Sequence, residues 1–102
     1  MELNHLTAVL AVARLGSFTL AARELFLSQP TVSRHVAAVE REVGQILFLR
    51  HARSVRVTAA GEAFLPYAQA VVQAWQSGLQ AVSADGSDTA RRNVDVTTLR
   101  SA

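Results

Sequence analysis

At 102 residues the chain has room for one domain with a modest core, and not for an enzyme-sized cleft beside it. Half of it is hydrophobic, yet no apolar run approaches the roughly 20 residues of a membrane span, and the absence of cysteine excludes disulfide frameworks and cysteine-based zinc modules. The net charge of +2 conceals an asymmetry: all ten basic residues are arginine, and seven lie within residues 1–57 against four glutamates. Residues 43–61 hold Arg50, Arg53, Arg56 and His51 with no acid, which suits a phosphate-facing surface, although a solvated basic hairpin would carry the same charges.

Residues 4–15 read as a first helix, with Leu3, Leu6, Leu10 and Ala13 at helical spacing and Gly16 as the stop. Leu6 to Ala13 has the apolar character of a signal-peptide core, but it follows Glu2 instead of a basic leader. It is therefore read as part of an amphipathic helix, and the protein is expected in the cytoplasm. Ser17 can cap a second helix over residues 18–26, striped by Phe18, Ala21, Ala22 and Leu25, whose two alanines allow a crossing helix to come close.

A short turn near Phe26 to Ser28 leads to a third helix, a spacing that suits a helix-turn-helix although the usual turn glycine is absent. Ser28 is a good N-cap, and Pro30 falls in the first turn, where the N–H it lacks would have no partner anyway. This helix covers residues 29–43 and stops at Gly44. Val32, Val36, Val39 and Val43 fall on one face; Pro30, Arg34, Ala37 and Arg41 lie opposite, with Ser33 on the flank. Gln29, Thr31, Ser33 and Arg34 at its exposed start carry amide, hydroxyl and guanidinium groups that can read base edges and phosphates in a major groove.

Residues 46–50 and 54–57 are β-prone runs around His51-Ala52-Arg53, read as a two-stranded wing with Leu47 and Phe48 turned inward. Thr58 then caps a long helix reaching about residue 83. Leu65, Ala68, Val72, Trp75, Leu79 and Val82 recur along it by threes and fours, a coiled-coil seam that favours a partner helix over packing on its own domain. Pro66 lies inside this helix, frees the carbonyl of Glu62 and should kink it locally. Residues 84–88 read as a hinge or a frayed helix end, and residues 94–99 alternate like one strand with nothing to pair to, so residues 84–102 are expected to be disordered.

Catalytic and metal chemistry find no support in the pattern. His5, His35 and His51 fall on three different elements without metal-ligand spacing, and His35 points nearly perpendicular to Ser33 on one helix. There is no glycine-rich phosphate loop. The reading is of a protein that is not an enzyme and needs no cofactor and no metal.

The run Ala21-Ala22, Leu25, Ser28-Gln29-Pro30 and Ser33-Arg34, with Gly16-Ser17-Phe18, Glu40, Leu47-Phe48, Val57-Thr58 and Gly61 around it, resembles the DNA-binding domain of the LysR-type bacterial transcriptional regulators over roughly residues 1–83. The resemblance implies an all-α dominated fold: a winged helix-turn-helix over residues 1–58, a linker and dimerisation helix over 59–83, and over 84–102 a hinge and the start of an effector-binding domain. It implies that Gln29, Pro30, Thr31, Ser33 and Arg34 meet the major groove of double-stranded DNA, with Ser17, Thr19 and Ser28 at phosphates. Arg50 would lie beside the backbone and Arg53 in the adjacent minor groove. Leu49 departs from the family pattern, standing where a charged residue is usual, and leaves the wing less polar. The resemblance also implies an antiparallel homodimer through the linker helices, compatible with a tetramer in a longer protein, and a small-molecule effector bound only by a C-terminal domain. A winged-helix protein-interaction module is the rival reading; it needs no basic wing and no Gln-Pro-Thr at the helix start.

Overall fold

Capping residues mark the starts of the helices and the ends of the first three. The computed structural model describes residues 1–52 and 54–84. Among these the elements run α1 (Leu3–Leu15), α2 (Phe18–Leu25), α3 (Gln29–Val43), β1 (Phe48–His51), β2 (Ser54–Val57) and α4 (Ala59–Ala84), the fold class expected from the sequence. The Ser17 hydroxyl accepts from Leu20 N–H at 3.0 Å and the Ser28 hydroxyl from Thr31 N–H at 3.2 Å, each meeting a donor that the first helical turn leaves without a backbone acceptor. Gly16 and Gly44 close α1 and α3 in the left-handed conformation, at φ 64° and 79°.

The turn between α2 and α3 is made without a glycine. Phe26 takes the left-handed role at φ 57°, ending α2 one residue earlier than expected, while its ring stays 95 % exposed. A phenylalanine there carries a steric cost of about 1–2 kcal/mol relative to a right-handed residue, and its exposed ring buries nothing in this chain to offset it.

The core is one cluster assembled from several short elements. Leu6, Val9 and Val12 of α1 meet Phe18, Ala21 and Ala22 of α2 and Val32, Val36 and Val39 of α3, closed by Leu47 and Phe48 from the wing and Ala68 and Val72 from α4. Val43, expected on the same valine face, is 36 % exposed, because the last turn of α3 runs past the edge of the core.

The wing is an antiparallel pair in the register Phe48↔Val57 to His51↔Ser54. Its first strand begins two residues later than the β-prone run suggested. Residues 46 and 47 are held by side chains instead: Leu47 N–H donates to the Glu40 carboxylate at 2.7 Å, and the Thr58 hydroxyl donates to the Ile46 carbonyl at 2.6 Å. The same Thr58 oxygen accepts from Gly61 N–H at 3.0 Å and so starts α4 as expected. Gly61 itself lies so close to the wing that an added Cβ would fall 2.5 Å from the Leu47 carbonyl oxygen and 2.6 Å from Val57 Cγ1.

Helix α4 continues through Pro66 without interruption. Its first half belongs to the compact unit Met1–Val72; of the second unit, residues 73–84 are described. Among the described residues no helix is long and apolar enough to cross a membrane. The expectations for residues 85–102 lie outside the described residues.

Candidate nucleic-acid interface

Three chain segments bring the proposed contact residues together. The starts of α2 and α3 and the wing surround a concavity of about 200 Å³ lined by Ser17, Phe18, Thr19, Gln29, Arg50, His51, Ala52, Ser54 and Val55. Four of the expected DNA-contact residues, Ser17, Thr19, Gln29 and Arg50, thus share one wall system although they are up to 33 positions apart in sequence. The helix starts contribute backbone N–H groups and the positive ends of two helix dipoles, which favour an anion at this surface.

Hydrogen bonds order the side chains at the start of α3. Thr31 Oγ1 accepts from the Ser28 hydroxyl at 2.9 Å and from the Arg34 guanidinium at 3.0 Å, while the Thr19 hydroxyl donates to Gln29 Oε1 at 3.3 Å. Arg50 donates to the Ser33 hydroxyl at 2.9 Å, and Pro30 is exposed beside them. Among the described residues the single ion pair joins Arg14 to Glu24, away from this cluster. Arg34, Arg50 and Arg56 therefore have no carboxylate partner among the described residues, and their charge is available to a polyanion. Arg53 lies outside the described residues. Leu49 is 47 % exposed opposite Arg56, a less polar wing surface, as its departure from the family pattern suggested.

The six seam residues of α4 divide into two groups. Ala68 and Val72 are buried in the domain's own core and Leu65 packs against it, whereas Trp75, Leu79 and Val82 are 55 %, 50 % and 64 % exposed. Packing on its own domain thus accounts for the first three positions. Tyr67 and Val71, which sequence reasoning passed over, are exposed and lead by steps of four to Trp75 and Leu79. That spacing was the available signal; the threes-and-fours pattern one position away obscured it.

His51, part of the basic stretch, lines the concavity. One further residue acquires a role that the sequence did not suggest. His35, on α3, faces His5 of α1 with ring centroids 4.7 Å apart, and its Nδ1 is buried without a hydrogen-bond partner. His5 Nδ1 accepts from Glu2 N–H at 3.1 Å. Burial, then His5, then Arg34 hold the His35 pKa below its ordinary 6.5, with Glu2 pulling weakly the other way. The folded state thus disfavours protonated His35. The stability this group contributes is complete above pH 6.5, the unfolded value, and is lost as pH falls from there towards the lower folded value. The urea midpoint should therefore drop between pH 7.5 and about 5.5, and His35→Gln should flatten part of that drop. An identical pH profile in the variant would show that His35 is not the group responsible.

Similarity to known proteins follows the same segments. Residues 3–62 match the family model described as bacterial regulatory helix-turn-helix protein, lysR family. The chain is 42 % identical over 83 residues to the uncharacterized HTH-type transcriptional regulator YxjO of Bacillus subtilis, covering 81 % of this chain and 28 % of that protein. It thus spans less than a third of that relative's length. Among solved structures, it matches the BenM_DBD complex with catB site 1 DNA at a TM-score of 0.79, with 34 % identity over 85 % of this chain and 98 % of the other. The CbnR_DBD–DNA complex matches at 0.74, with 38 % identity over 82 % and 98 %. With most of its length matched, and with the residues that start α2 and α3 and shape the wing inside the matched segment, the chain belongs to the LysR family of bacterial helix-turn-helix regulatory proteins.

Proposed function

We propose that this domain binds specific double-stranded DNA as part of a cytoplasmic transcriptional regulator and does so as a homodimer. The observation that carries the reading is the convergence on one surface of two helix starts, hydroxyl and amide side chains, and Arg34 and Arg50, which have no carboxylate partner among the described residues. Two structural relatives of similar size were solved with DNA, which supports the same use here. Gln29, Pro30, Thr31, Ser33 and Arg34 enter the major groove: Gln29 contacts adenine or another base edge, Arg34 a guanine or a phosphate, and Pro30 and Thr31 lie against thymine methyls. Ser17, Thr19 and Ser28 stand at phosphates beside the helix starts, and Arg53 at the wing tip enters the minor groove. On this reading residues 1–58 are the DNA-binding domain and 59–83 the linker helix, while a small-molecule effector acts through a C-terminal domain that begins after a hinge within residues 84–102.

Selection of bound duplexes from a random pool, followed by gel shifts with excess nonspecific DNA, tests this. With about three phosphate contacts per subunit, a dimer should lose affinity with a log–log salt slope on the order of −5. Gln29→Ala should relax base preference at one position of each half-site at a cost of about 1–3 kcal/mol there, with little effect on nonspecific DNA. Arg53→Ala should weaken binding to all sequences and reduce any preference for A·T-rich flanks. A flat salt response, or no selected sequence at all, would favour a winged-helix protein-interaction module. Equal losses in both variants on every duplex would remove Gln29 from base reading.

A further inference from the structure

Arg50 has an arrangement that a simple phosphate ligand would not need. Its guanidinium carbon sits 3.6 Å from the centroid of the Phe18 ring, and its Nη2 donates to Ser33 Oγ at 2.9 Å. Phe18 is the first residue of α2, only 5 % exposed, and meets Phe48 of β1 edge-on with ring centroids 6.2 Å apart. Ser33 lies on α3, one residue before Arg34 and one turn beyond Gln29. One side chain from the wing therefore touches both helices of the helix-turn-helix.

The wing has few other ties to those helices. Beyond the inward Phe48, the residues of β1 are exposed, and β2 alternates between exposed and half-buried. The Glu40 carboxylate secures Leu47 and, at 3.4 Å, Phe48 N–H, but among the described residues no carboxylate does the same for the outer end of the hairpin. Apart from Phe48, the ribbon is seated on the core by the half-buried Val55 and Val57, and apolar packing of this kind sets its orientation less sharply than a directional side-chain contact does.

We propose that Arg50 is a positioning residue: it braces the wing against α2 and the recognition helix α3, and it sets the angle between the wing and the residues that read the major groove. The chemistry requires arginine. A planar guanidinium can lie flat on the Phe18 face while its edge donates to Ser33, whereas a lysine ammonium brings the same charge without plane or fork. Bound to Arg50, the Ser33 hydroxyl is also kept from rotating freely.

The inference assigns Arg50 a role within the proposed DNA binding, and its test has one arm that needs no DNA. Hydrogen exchange of the free domain should show the amides of the β1–β2 ladder exchanging about tenfold faster in Arg50→Lys, with α1 unchanged. Unchanged exchange in the ladder would overturn the brace whatever the domain binds. On a selected duplex, Arg50→Lys, which keeps the charge, should weaken binding about tenfold without altering the salt slope. Ser33→Ala should add little to Arg50→Lys, because the two groups act through one contact. If Arg50→Lys binds like the parent and Arg50→Ala lowers the slope by roughly two per dimer, Arg50 is a point-charge phosphate contact and the brace is wrong. Should the parent domain bind no duplex, the DNA reading fails, and hydrogen exchange still decides the brace.

Discussion

Gly61→Ala should lower the stability of the domain by about 3 kcal/mol, a large fraction of what a domain of this size possesses. The methyl group would lie 2.5 Å from the Leu47 carbonyl oxygen and 2.6 Å from Val57 Cγ1. Neither neighbour gives way easily. The carbonyl is main chain and already accepts from Thr58 N–H at 3.0 Å, and Val57 is the wing residue paired with buried Phe48. Relief requires moving the start of α4 away from the wing, which loosens the Thr58 cap and the burial of Ala68 and Val72 together. Since 1 kcal/mol shifts the midpoint of such a small domain by about 4–8 °C, thermal melting should fall by roughly 12–24 °C. Gly78→Ala is the matched control: nothing lies within 4 Å of its Cβ position, and mid-helix alanine should stabilise by about 0.5–1 kcal/mol. Equal melting of the parent and Gly61→Ala would mean that α4 is not seated against the wing as described.

Leu79→Asp and Trp75→Ala should convert the proposed dimer into a monomer while leaving residues 1–72 folded. Tyr67, Val71, Trp75, Leu79 and Val82 are all at least 49 % exposed, a concentration of apolar surface that an isolated small domain seldom carries. Burying such a stripe against a second copy, at about 25 cal/mol per Å² of apolar area, stabilises the pair by a few kcal/mol. The buried residues of α4 take no part in this, so the helix can lose its partner without disturbing the core. Affinity for a two-half-site duplex should then fall about a hundredfold or more, because the second half-site is no longer held at high effective concentration. Sedimentation at micromolar concentration settles the point: a parent domain that runs as a monomer leaves the exposed stripe without this explanation.

Elements with strong local punctuation could be located from the sequence alone. Ser17, Ser28, Thr58, Gly16 and Gly44 mark boundaries because capping is a local matter of one side chain and one turn. The surface at the starts of α2 and α3 was legible for the same reason, since it consists of the caps and the residues that follow them. Tertiary competition was not legible. Ile46 is β-prone, yet Thr58 and Glu40 hold its neighbourhood outside the strand. Along α4 a single periodic pattern covered two different surfaces, and only the position of the core separates Ala68 and Val72 from Trp75 and Leu79. Phe26 in the left-handed region could not be foreseen either, because tertiary packing of α2 and α3 imposes the turn whatever residue occupies it.

The hydrogen bonds that link Thr19 to Gln29, and Thr31 to both Ser28 and Arg34, exist before any partner arrives. Immobilising a long side chain on binding ordinarily costs about 0.5–1.5 kcal/mol, and here part of that ordering is already complete in the free domain. The consequence reaches beyond affinity to how recognition could change over time. On the proposed reading, a substitution at Thr19, which stands at a phosphate, reorients the Gln29 amide, and one at Thr31 reorients the Arg34 guanidinium beyond its own groove contact, so base preference would shift through residues other than the readers themselves. If Gln29 and Arg34 read bases as proposed, half-site preference belongs to the pairs 19–29 and 31–34 jointly, and a new operator would be reached by paired substitutions more readily than by exchanging Gln29 or Arg34 alone.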